Sequence, residues 1–175
     1  MTSSTTVQPL VPAGLWTVDP DASSARFSVR HLLVATVRGC FHDIAGTVQV
    51  AGARLDADGA VAVASIDTGD GIRDERLRSD GFFDAARHPE LRFRATEAVA
   101  GPGGAWRVTG DLTTGAGTHP LTFEATARDG DRGPVVTARA ALSRREHGLD
   151  WPGLLHSGRA VVGDRVDIEL ELVLR

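Results

Sequence analysis

The chain has 175 residues, a net charge of −4 and one cysteine, Cys40. That length makes one domain, enough for a sizeable core or a barrel around a cavity, and an acidic balance without any basic run argues against nucleic acid as a partner. All 19 basic residues are arginine, which removes lysine Schiff-base and lysine general-base chemistry, and a single cysteine leaves no intrachain disulfide or cysteine-rich metal site. Tyrosine and asparagine are absent as well as lysine, a bias that fits GC-rich coding and an actinobacterial source.

Met1 to Gly14 is polar and then flanked by prolines, and it reads as a flexible N-terminal arm. It lacks the apolar stretch of a signal peptide, and no run approaches the roughly 18 apolar residues of a membrane span, so the expectation is a cytoplasmic chain with its domain over 15–175. After the Asp19-Pro-Asp turn the dominant period is two. Ala25, Phe27 and Val29 alternate with Arg26, Ser28 and Arg30, and residues 37–50 read as one long strand. A turn is expected at Ala57-Asp-Gly59.

The stretch from Ser65 to Asp84 interrupts this pattern. It ends an apolar strand, breaks at glycine, and continues from Asp70 to Ser79 with the only helical character in the chain, Asp74 and Arg78 standing at i,i+4. Beyond it come Phe82 and Phe83, so the segment reads as a short helical lid on a barrel mouth. Leu91, Phe93 and Ala95, then Trp106, Val108, Gly110 and Leu112, then Leu121, Phe123, Ala125 and Ala127 mark the dry faces of three further strands. Glycine-rich turns at 101–104, 115–117 and 129–134 separate them, and Val166, Ile168, Leu170, Leu172 and Leu174 share one face of the last strand, 163–174. One wet and one dry face marks antiparallel sheet. Eight or nine hairpin-connected strands close as an up-and-down barrel or fold as a sandwich, and the long strands favour the barrel. Small residues on the dry face (Ala25, Ala95, Gly110) fit either an open lumen or the taper of a packed one.

In an extended segment Phe82 and Phe83 would point to opposite sides. Either one closes a tunnel while the other anchors the lid, or both pin the excursion to the core. Arg73, Arg76 and Arg78 could offer forked donors to a diphosphate or an oxygenated ring. A solvated helix with local ion pairs to Asp70, Asp74, Glu75 and Asp80 explains them without any ligand and is the favoured reading for all but Arg73. His31, at a strand end, could bond a quinone oxygen or simply satisfy the backbone. The remaining histidines (42, 88, 119, 147 and 156) lack a paired ligand spacing, so no metal site is expected. Trp151, in the apolar loop Asp150-Trp-Pro-Gly-Leu-Leu155, is a second gate, a dimer contact or a plug. No nucleophile–base pair stands out, and the chain is not expected to be an enzyme; a lipid-modifying barrel and a filled-barrel stress or interaction module are the alternatives.

Several ordered strings carry a family resemblance. Trp16-Thr-Val-Asp-Pro20, Ser24 to His31, Val37-Arg-Gly-Cys-Phe41, the Ile66-Asp-Thr-Gly…Arg73-Asp…Leu77-Arg-Ser…Phe82-Phe-Asp84 series, His88-Pro, Gly110-Asp-Leu-Thr113 and Val162 to Ile168 together resemble the YceI-like family of bacterial lipocalin-like polyisoprenoid-binding proteins. The resemblance implies an antiparallel barrel whose tunnel holds a long isoprenoid lipid, a polyprenyl chain or isoprenoid quinone, and a role as carrier, store or sensor. No other cofactor is implied. It also implies a homodimer, and transient contact with a membrane surface is the expected route to the lipid. The ligand-contact candidates are Phe27, Val29, His31, Phe41, Ile66, Arg73, Leu77, Phe82, Phe83, Phe93, Phe123 and Trp151. One departure lies in Ser143-Arg-Arg-Glu-His-Gly148, where histidine replaces the family's aromatic residue.

Overall fold

The computed structural model describes residues 8–31, 35–151, 155–156, 159–160 and 162–175. The described residues form an antiparallel β-barrel with one α-helix. Its strands are β1 (Gly14–Thr17), β2 (Ser24–His31), β3 (Ala35–Phe41), β4 (Ile44–Ala51), β5 (Arg54–Ala62), β6 (Ile66–Asp67), β7 (Glu90–Ala100), β8 (Trp106–Thr114), β9 (Gly117–Arg128), β10 (Val135–Ser143), β11 (Leu155–His156), β12 (Arg159–Ala160) and β13 (Val162–Val173). Helix α1 spans Gly71–Arg78. Eleven strands form one sheet in the order β1-β4-β5-β7-β8-β9-β10-β13-β2-β3-β6, and β11 and β12 form a small separate pair.

Curling brings the sheet's distant parts together at one end. Thr17 and Arg175 exchange backbone hydrogen bonds of 2.9 Å each way, and Val18 bridges Leu174, which is fully buried. The segment expected to be a flexible arm closes this end over its described part. Val11 is buried, Trp106 donates from Nε1 to the Gln8 carbonyl at 3.2 Å, and Trp16 does the same to Pro12 at 2.9 Å. The two indole N–H groups give this piece of chain polar anchor points, and Val11 and Leu10 add apolar contact with the core.

The alternating strands emerge as read, with three corrections. Residues 37–50 are two strands, because the chain turns at His42 and Asp43: the His42 amide donates to Ser65 O and the Asp43 carbonyl accepts from Ala62. Consequently β3 and β4 lie far apart in the sheet order. Ala57-Asp-Gly59 lies inside β5, and the turn falls instead at Gly52, whose φ of 61° suits glycine. Within β7 the register slips between Ala95 and Glu97, leaving Thr96 as a bulge. One extra residue inverts the alternation, so Leu91, Phe93 and Ala95 face in before it and Ala98 and Ala100 after it, while Val99 is exposed.

Candidate functional site: a capped apolar cavity

Aromatic rings on opposite walls shape the interior. Phe27 and Phe41 lie 5.7 Å apart between centroids, and Phe93 meets Phe123 edge-on at 5.1 Å. Each pair rests on a glycine: a Cβ on Gly39 would collide with the Phe27 ring, and one on Gly110 would lie 2.6 Å from Phe93. The small residues therefore seat large ones, and space still remains between the walls. A cavity of about 510 Å³ runs between them, lined mostly by apolar side chains, a size within the usual range of ligand sites. The candidate ligand-contact residues, from Phe27 to Trp151, all stand on its wall, as do Arg76, Arg144 and Leu10.

The lid is built by local bonds. Asp70 caps α1, accepting at 3.1 Å from the amides of Ile72 and Arg73. Asp74 is buried and accepts from the Thr68 hydroxyl at 2.6 Å and the Thr68 amide at 2.9 Å. Arg73 binds the same residue, donating from Nε to Thr68 Oγ1 at 2.7 Å and from Nη2 to Thr68 O at 2.9 Å. Thus Arg73 and Asp74 hold the lid through Thr68 rather than as an ion pair with each other. Arg78 turns to the Ile66 carbonyl at 2.9 Å, and its buried Nε has no partner among the described residues.

The expectation that Phe82 and Phe83 point apart does not hold, because the segment is a turn. Phe82 N donates to Ser79 O and Phe83 N to Leu77 O, and Asp84 follows with a φ of 54°. Both rings therefore reach Trp151, edge-on, at 5.3 and 4.8 Å. Arg76 lies over the outer ring of this cluster, 5.3 Å from the Phe82 centroid, at a cation–π distance. Trp151 is thereby a partner of the lid; Pro152, Gly153 and Leu154 of its loop lie outside the described residues. His31, at the end of β2, is half-buried on the cavity wall.

The second side of the mouth is the turn after β10. Arg144 is buried and donates to three backbone carbonyls, Gly163 at 2.7 Å, Val162 at 2.8 Å and Leu149 at 3.0 Å. Burial lowers its pKa from the ordinary arginine value, against the opposing pull of Asp150 and Asp164. His147 is buried with its ring nitrogens 2.9 Å from Ser143 O and 3.1 Å from Pro120 O. His147 thereby ties this turn to β9.

A different cluster escapes sequence inspection. Cys40 Sγ lies 3.7 Å from His42 Nε2, which is 2.9 Å from Asp67 Oδ2. The signal was Cys-x-His, with Cys40 on β3 and His42 in the turn just after it; the third member came from the pairing of Cys40 with Asp67 across β3 and β6. Burial, chiefly, and the Asp67 charge raise the Cys40 pKa, whereas the His42 hydrogen bond and the Gly69 amide lower that of Asp67.

A family model described as the YceI-like domain matches residues 16–174. The chain belongs to the YceI-like family. A UPF0312 protein of Staphylococcus epidermidis is 28% identical over 159 residues, covering 84% of this chain and 89% of its own length. One from Shewanella denitrificans is 37% identical over 108 residues, covering 59% and 56%. Among solved structures, Burkholderia cenocepacia BcnA superposes with a TM-score of 0.80 at 20% identity, over 90% of this chain and 99% of that one. A polyisoprenoid binding domain from Saccharophagus degradans gives 0.65 at 16% identity, over 91% and 97%. Structural likeness at this level of identity establishes the YceI-like barrel as the fold.

Proposed function

We propose that this chain binds and sequesters a long isoprenoid lipid, a polyprenyl chain or isoprenoid quinone, in its capped cavity. The observation that carries the reading is the shape and chemistry of the interior: a largely apolar lumen whose wall includes Leu10 and Val18 from the end where the chain's first and last strands meet, and Arg73, Arg76 and Leu77 of the lid. Each methylene moved from water into such a lumen contributes about 0.8 kcal/mol, so a chain of many carbons needs little polar help. The tail lies between Phe27, Phe41, Phe93 and Phe123, and the polar head faces His31, Arg73 and Arg76 at the rim. The printed description of the Saccharophagus neighbour as a polyisoprenoid binding domain and membership of the YceI-like family support the same ligand class. No step of bond making or breaking is needed for this role, which is that of a cytoplasmic carrier, store or sensor.

Organic extraction of natively purified protein, followed by mass spectrometry beside a blank and the Phe83→Ala variant, tests the proposal. A stoichiometric polyprenyl species, reduced in the variant, is the expected result. An empty extract, together with no uptake of added quinone or polyprenol, would transfer the case to a barrel that works as an interaction module.

A further inference from the structure

Beyond the cavity, one cluster joins sulfur, nitrogen and oxygen donors at a single point. We propose that Cys40, His42 and Asp67 form a binding site for a divalent transition-metal cation of the zinc class, on the outer face of the barrel where β3 ends and the lid begins.

Three features of the geometry carry this. The donor atoms Sγ, Nε2 and a carboxylate oxygen all lie within 4.8 Å of one another. Metal–ligand bonds of 2.0–2.3 Å at a tetrahedral ion would set the donors about 3.5 Å apart. The sulfur–nitrogen separation of 3.7 Å already meets that, and the nitrogen–oxygen separation of 2.9 Å must open by about half an ångström. His42 and Asp67 have side chains 65% and 49% exposed, so small rotations suffice and an ion has free access.

Second, one nitrogen faces two groups. His42 Nε2 carries at most one proton, which can satisfy either the carboxylate or the sulfur. A cation at the centre engages all three donors at once, with the thiol proton released to solvent and water completing the coordination. Third, the carboxylate is already oriented for the task. Asp67 Oδ1 accepts from the Gly69 amide at 2.9 Å, leaving Oδ2 directed at the imidazole, an outer bond of the kind that fixes metal ligands. A thiolate, imidazole and carboxylate set selects zinc, cobalt or copper over magnesium or calcium.

The site would also fasten β6 to β3 immediately before Thr68, the residue on which Arg73 and Asp74 hang. A bound ion therefore stiffens the hinge of the lid without touching the lumen.

Cobalt(II) titration of the purified full chain tests this directly. A sulfur-to-cobalt charge-transfer band should saturate at one equivalent, vanish in Cys40→Ser, and require at least tenfold more cobalt in His42→Ala and Asp67→Asn. Because Cys40 is the sole cysteine, zinc should in parallel slow its alkylation at least tenfold. Both readings are independent of any lipid. Absence of the band, an unchanged alkylation rate with saturating zinc, or undiminished cobalt binding in Cys40→Ser would each overturn the proposal. Circular dichroism of the variants, all altered on the outer surface, should match the parent.

Discussion

Phe83 meets Trp151 edge-on with 4.8 Å between ring centroids, and this contact joins the lid to the loop on the far side of the mouth. Because Phe82 approaches the same indole, the mouth is latched by one three-ring cluster. Aromatic pairs of this geometry contribute about 0.5–1.5 kcal/mol beyond area burial. A double-mutant cycle of Phe83→Ala and Trp151→Ala, read by urea unfolding, should return a coupling in that range. A coupling near zero would show that the rings are neighbours without being a latch.

Thr68 anchors the lid through Arg73 and Asp74 together. Asp74→Ala removes the Oδ1 that accepts from both the Thr68 hydroxyl and the Thr68 amide, and a buried polar group left unpaired costs about 1–3 kcal/mol. Hydrogen exchange should quicken across residues 68–78 in this variant while β8 and β9 stay protected. Uniform loss of protection over the whole barrel would mean that Asp74 serves the global fold.

Gly39 gives the Phe27 ring its place, as a Cβ there would collide with it. Gly39→Ala should lower stability by about 1–3 kcal/mol through overpacking. Adding Phe27→Leu should restore much of that loss, because a smaller side chain vacates the contested space. Failure of the second change to rescue the first would locate the strain in the backbone of β3 instead.

Arg144 satisfies three carbonyls from within the protein, which a planar fork of donors can do and a single ammonium cannot. Arg144→Lys should therefore destabilise the chain by about 2 kcal/mol or more, with the effect concentrated in the turn 143–149. An unchanged thermal midpoint would refute this account of the residue.

Acid should weaken the barrel through Asp164. The Ser143 hydroxyl, bonded at 2.6 Å, and the Arg145 amide hold its carboxyl below the usual aspartate range. A carboxyl depressed on folding adds stability that is present above its unfolded pKa and lost as pH falls through the folded one. Asp67 shifts in the same direction. Thermal midpoints should thus fall as pH drops below the ordinary aspartate range, and Asp164→Asn should flatten that decline. A parallel decline in the variant would assign the acid sensitivity elsewhere.

Much of this architecture was legible because burial on one face imposes a period of two, and β2, β9 from Leu121 to Ala125 and β13 from Val166 to Leu172 obey it; Ala127, read on the dry face, is exposed at the end of β9, and β13 slips in register between Val162 and Val166. The lid was legible for the opposite reason: glycines, a short helical stretch with Asp74 and Arg78 at i,i+4, and paired phenylalanines broke the period. Other features depended on partners remote in sequence. Nothing local distinguishes the bend at His42 from a continuing strand, since its cause is Ser65. The Thr96 bulge exists because β8 has one residue fewer to offer, and the Gln8 carbonyl is held by the indole of Trp106, far along the chain. Every candidate side chain reached the cavity wall, yet Arg73 and Asp74 meet through Thr68, a relation that spacing alone did not convey. Cys40 and His42 stand two apart in the sequence, but it is the turn at His42 that brings the imidazole beside the sulfur, and Asp67 joins them only through strand pairing.

The placement of β13 has a consequence for the order of events during synthesis. This strand pairs with β10 on one side and β2 on the other, so the earliest long strand waits for the latest before the wall between them exists. While translation proceeds, β7 to β10 can zip as neighbouring hairpins, but their apolar faces have no lumen to enclose. Contacts of such long sequence separation make folding slow and leave that surface uncovered meanwhile. On the proposed function, loading with a lipid follows translation of β13, and a nascent chain halted before Val162 should retain no cargo and should depend on chaperones for its solubility.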